Sequence, residues 1–147
     1  MPWNLYDAFR EGQQDARQIN LDAVNLYIAI VSSLYTPDQN LHEYFSDITN
    51  EVSGGGYTAG GNACLNPIVS MDTAGLVTFD ADDPAVWAQD ATGFTNGRRF
   101  IAYDRTGVDA TAWRLIAFTD PEAADFGNVA GPLTFQLSAS GLFTSPR

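Results

Sequence analysis

The sequence predicts a mainly β fold with minor α content, an antiparallel β-sandwich or barrel with a short N-terminal helix and a short helical insert. Three observations lead there. Between Asn20 and Leu34, apolar residues alternate along the chain with a period of two. From Asn62 onward, short apolar runs are broken at close intervals by turn-forming clusters. Helical spacing shows only in two short segments before Asn50.

Taken in order, residues 4–18 read as an amphipathic helix, with Leu5, Ala8 and Phe9 near helical spacing, Asn4 as its cap and Asp7 in its first turn. In the next run Val24, Leu26, Ile28 and Ile30 alternate with Asn25, Tyr27, Ala29 and Val31, so a strand covered on both faces is expected. Thr36–Asn40 supplies turn chemistry, and Leu41–Ile48 places Leu41, Tyr44, Phe45 and Ile48 on one side of a helical turn or two. Asn62–Met71 and Gly75–Asp80 form a hairpin around Asp72–Gly75. Further strands are expected at Val86–Gln89, Arg98–Tyr103, Trp113–Phe118, Leu133–Leu137 and Leu142–Thr144. Turns at Asp90–Gly93 and Asp104–Asp109 and a loop at Thr119–Gly131 separate these strands. The 147 residues read as a single domain, 1–147, with residues 1–19 as a helical segment suited to assembly contacts.

Charge and composition narrow the function. Eighteen acidic residues face seven arginines and no lysine, for a formal charge of −11. Such a surface repels nucleic acid and anionic membranes, so neither is an expected partner. No apolar run reaches the length of a membrane helix, and the N-terminal residues lack the pattern of a signal peptide. Without lysine there is no Schiff-base chemistry and no P-loop cation. A single cysteine, Cys64, excludes an intramolecular disulfide, which fits a cytosolic place of synthesis.

The segment from Ser53 to Gly61, SGGGYTAGG, is the most unusual stretch. Gly54, Gly56 and Ala59 satisfy a relaxed dinucleotide-binding pattern, but that pattern works only between a strand and a helix N-terminus. Gly60, Gly61, Asn62 and Pro67 follow instead and disfavour a helix, and Asn62 stands where a P-loop needs lysine. The glycines are therefore read as backbone geometry, a connection with positive-φ positions. Phe79–Asp83 concentrates Asp80, Asp82 and Asp83, yet counting from Asp80 the sixth and twelfth positions hold Ala85 and Ala91 rather than the Gly and Glu of a helix–loop–helix calcium site. A solvated strand end is the expectation.

Catalytic chemistry has little to build on. The lone histidine, His42, is expected on the polar side of its short helix beside Glu43, and Cys64 in GNACLNP reads as a small core residue. No G-x-S-x-G elbow occurs, and one cysteine with one histidine cannot make a zinc site. No catalytic, cofactor-binding or metal-ligating residue is assigned. The expected partner contacts are the basic doublet Arg98–Arg99 and the aromatic residues Tyr57 and Trp3.

Several segments occur in an order that resembles a family of tailed-bacteriophage virion structural proteins. They are LYDAFREG, AIVSSLYTPDQNLHEYFSDITNEVSGGGYTAGG, VTFDADDPAVWA, GRRFIAYDRTG and FQLSASGLF, and together they span nearly the whole chain. The most specific parts are Tyr35–Phe45, Asn50–Gly54 and Gly56–Gly61. Within that family the chain looks like a capsid decoration, or cement, protein. The resemblance implies binding to the major capsid protein on the outside of the virion shell, assembly as a homotrimer and no enzymatic activity. A tail or neck component is the alternative, and a carbohydrate-binding adhesion module the further one. The last requires Trp3, Trp87 or Trp113 to stand exposed beside carboxylates.

Overall fold

A computed structural model describes residues 2–145. The fold is mainly β and fully antiparallel, two open sheets around one core rather than a closed barrel. The first sheet has five strands: β1 (Trp3–Leu5), β2 (Leu26–Val31), β3 (Asn62–Ala63), β6 (Arg99–Asp104) and β7 (Arg114–Thr119), in the spatial order β1-β7-β6-β2-β3. The second has three: β4 (Ile68–Met71), β5 (Val77–Asp80) and β8 (Phe143–Ser145), in the order β4-β5-β8. One helix, α1 (Asp7–Gly12), and a 3-10 turn at Phe45–Asp47 complete the regular structure of the described residues.

The central strands carry the core. Leu26, Ile28, Ile30, Ile101, Ala102, Tyr103, Leu115 and Ile116 are all buried, so both faces of this sheet are covered. Side chains alternate along β6, which sends Phe100 and Tyr103 to opposite faces. On one side Phe100 meets Trp87, Phe126 and Phe135. On the other, Tyr103 meets Tyr27, Phe45 and Trp113. Between β6 and β7 the register shifts after Ala102, leaving Ile116 as the extra residue of a bulge. The smaller sheet joins the same core through Phe79, whose ring packs on Phe143, which in turn meets Phe9 of α1.

Several expectations are corrected. Residues 4–18 do not form one helix: Trp3–Leu5 pairs with Thr119–Ala117, and the helix covers only Asp7–Gly12. Asn4 is therefore a strand residue that hydrogen-bonds Asp120, and the cap position falls to Tyr6. A long-range pairing outweighs the weak propensity of so short a helix. Gln13 then turns the chain, its side-chain amide pairing with both backbone groups of Ile19. Within the expected strand from Asn20 to Leu34, only Leu26–Val31 is β structure. The helical insert shrinks to the 3-10 turn at Phe45–Asp47. Asn62–Met71 divides into β3 and β4, which belong to different sheets. Val86–Gln89 and Leu133–Leu137 reduce to a bridge between Trp87 and Leu133.

Candidate functional site

Residues 32–61 form an irregular segment in which Phe45 stacks on Tyr103, Glu51 bridges Val31 at the open edge of β2, and Gly54–Gly56 pack against residues 88–94. Tyr57 is the main fastener. Its hydroxyl accepts the Ile30 N–H at 3.0 Å and donates to Glu51 Oε1 at 2.6 Å. The same carboxylate oxygen accepts the Gly60 N–H, while Tyr103 donates its hydroxyl to the Gly60 carbonyl at 2.7 Å. Burial, reinforced by the Glu51 charge, pushes the Tyr57 phenol well above its ordinary pKa.

The glycine-rich loop is fastened again from the other side by Asn128, a fully buried amide. Its Nδ2 donates to the Gly55 and Ala88 carbonyls, both at 2.8 Å, and its Oδ1 accepts the Phe94 N–H at 3.0 Å. Each polar atom of this side chain has a partner, as burial demands. Gly61 adopts φ 77°, with the Ile28 carbonyl in the space a Cβ would occupy. No helix N-terminus follows the loop among the described residues: it leads into β3. The glycines serve close approach instead: Gly54 to Gly93 and Phe94, Gly56 to Ala88 and Asn128, and Gly61 to Ile28 of β2.

His42 is not the exposed helical residue expected. It sits half-buried on a turn, stacked on Tyr35 with ring centroids 5.6 Å apart. Its Nδ1 accepts the Asp38 N–H at 3.2 Å and lies 2.8 Å from the Tyr35 hydroxyl, which is itself 3.0 Å from that of Tyr6. Cys64 is buried among core residues, and its thiol is pushed up to about 12 by burial and then by Asp83 and Asp82. Such a thiol is a poor nucleophile. The Asp80–Asp83 carboxylates diverge: Asp80 accepts from the Ala81 N–H, Asp82 from Asn66 and Asp83 from the Leu137 N–H. Among the described residues, no group of three or more His, Cys, Asp or Glu converges as a metal site would require.

Of the four expected contact residues, Trp3 and Arg99 meet at Thr119, while Arg98 and Tyr57 are engaged by other partners. Arg98 pairs with Asp125 at 3.1 Å, and Arg99 donates to the Thr119 carbonyl at 3.3 Å. Tyr57 turns its hydroxyl inward, and Trp3 packs edge-on against Phe135. The other two tryptophans are likewise engaged. Trp87 is 1% exposed, and Trp113 has the Arg105 guanidinium 4.4 Å from its ring centre. What does reach water is a set of large apolar side chains on loops and the β4 edge, among them Leu34, Leu41, Leu65, Ile68 and Val108. The sequence offered no way to single these out, because nothing local separates an outward leucine from a core one. No described helix is long and apolar enough to cross a membrane. Compared with known proteins, the chain matches no family model, no curated protein and no solved structure.

Proposed function

We propose that the chain is a bacteriophage capsid decoration protein, a cement subunit that binds the outside of the major capsid shell and stabilises it. The observation that carries the reading lies in the parts most specific to the virion-protein resemblance, Tyr35–Phe45, Asn50–Gly54 and Gly56–Gly61. There Tyr35, Glu51 and Tyr57 turn their polar groups inward as fasteners, whereas Leu41, and Leu34 just before Tyr35, are left 78% and 76% exposed. A fastened segment with outward apolar side chains suits burial against another protein.

The mechanism is mechanical. Each copy covers a seam between capsid subunits, and the buried area adds to the free energy that holds the shell against internal pressure. A specific interface needs about 1,000 Å² or more in total. Closed threefold symmetry lets one surface serve each copy of a homotrimer, and an acidic exterior suits the side of the shell away from DNA.

Cryo-electron microscopy of particles carrying this chain tests the reading. Density repeated over the whole shell at local symmetry axes is expected. Density confined to the tail or neck would transfer the chain to that alternative, and absence from particles would end both.

A further inference from the structure

A cleft of about 490 Å³ opens on the Phe100 face, between residues 122–126 and 133–136. Its floor is aromatic: Phe100 stacks on Phe126 with centroids 4.9 Å apart and tilts against Phe135 at 4.3 Å. Both walls are anchored by two-way backbone pairs. Phe126 exchanges hydrogen bonds with Gly97 at 2.9 Å, and Leu133 does so with Trp87 at 2.9 and 3.0 Å. A cleft held in this way is preformed, so an occupant bears little of the cost of ordering it.

The rim is acidic. Asp125 holds Arg98 through Oδ1, and its side chain is still half-exposed. The Glu122 carboxylate makes no hydrogen bond or ion pair among the described residues, since only its backbone N–H is engaged, with the Arg98 carbonyl. Arg98 is the chain's own cation at this rim and Asp125 already holds it, which leaves Glu122 as the rim charge without a cation among the described residues. Arg10 and Arg17 pair with acids around α1, Arg99 is tied to Thr119, and Arg105 lies over Tyr27 and Trp113.

We propose that this cleft receives a lysine or arginine side chain from a protein partner, its aliphatic stem on the phenylalanine floor and its charged head on Glu122 and the outer oxygen of Asp125. Long cationic side chains suit such a site because they combine an apolar stem with a charged tip and are attracted to aromatic faces. The net charge of −11 favours the same class of occupant at long range. The inference rests on the shell-binding reading only for which protein supplies the side chain.

The test is an amide-resolved NMR titration of the isolated protein with three peptides, acetyl-Gly-X-Gly-amide, where X is arginine, its neutral isostere citrulline, or norleucine. The arginine peptide is expected to shift the amides of residues 123–126 and 134–136, and to bind several-fold more tightly than the other two at low salt. Glu122→Gln, a half-exposed position without side-chain partners, is expected to weaken arginine binding roughly threefold. Equal binding of norleucine would make the cleft a purely apolar site and overturn the proposal. So would the absence of shifts in these segments, or arginine binding unchanged by Glu122→Gln. Because the titration uses the isolated chain, an empty cleft leaves the shell reading standing, and absence from particles leaves the cleft result standing.

Discussion

The Tyr57 hydroxyl stands 2.6 Å from Glu51 Oε1, which ties the middle of the glycine-rich loop to the residue that bridges Val31 of β2. Because the same hydroxyl accepts the Ile30 N–H, Tyr57→Phe removes an acceptor from a backbone donor and a donor from a carboxylate in one step. A loss of about 1–3 kcal/mol in unfolding free energy is expected from urea denaturation. A loss too small to measure would mean that water replaces the hydroxyl without cost.

Asn128→Ala is expected to be more damaging. It strips partners from the Gly55 and Ala88 carbonyls and the Phe94 N–H inside a region with no solvent access to the side chain. About 3 kcal/mol or more is expected, read as a lower denaturation midpoint at unchanged slope. Stability within about 0.5 kcal/mol of the parent would contradict the buried network.

Two glycines make an internal control. At Gly61 the positive φ and the Ile28 carbonyl leave no room for a methyl group, so Gly61→Ala is expected to destabilise by well over 1 kcal/mol. At Gly131 a Cβ meets nothing within 4 Å, so Gly131→Ala is expected to be neutral or slightly stabilising. Thermal melts of the two variants side by side decide it.

Alkaline pH should unfold the protein cooperatively. Burial raises Tyr35 from 10.0 to about 12, Cys64 from 9.0 to about 12, and Tyr6, Tyr57 and Tyr103 further in the same direction. The folded chain holds these protons more tightly than the unfolded chain does. Their contribution to stability is therefore complete below about pH 9 and declines as the pH rises through 10 toward 12. Tyrosinate absorbance should show these four phenols silent at pH 10 and appearing together with loss of structure. Independent titration of all six tyrosines near pH 10 in a folded chain would contradict their burial.

The sequence made the central sheet legible. The expected Arg98–Tyr103 and Trp113–Phe118 differ from β6 and β7 by a single residue, since short continuous apolar runs bounded by turns mark strands buried on both faces. The turn at Asp72–Gly75 was also readable, and Asp72 makes it by accepting the Ala74 and Leu76 N–H groups. The β1 strand was not readable, because three residues carry no periodicity and their pairing partner is more than a hundred residues away. Asn128 and the cleft were hidden for a similar reason. An asparagine in a loop looks like any turn former until Gly55, Ala88 and Phe94 surround it. The Phe100 floor and its two walls meet only in the folded chain.

The β4 strand has one neighbour, β5, so its other side is a sheet edge. The Val69 N–H there donates to Asp22 Oδ1 at 2.7 Å, which places a carboxylate where the strand of another molecule would otherwise begin to pair. Ile68 and Met71 on this strand are exposed and apolar, the composition from which runaway strand stacking starts. Asp22 thus acts as a gatekeeper borrowed from a distant loop. A strand added at this edge would find the Val69 donor already taken, although Ile68 and Met71 stand open to it.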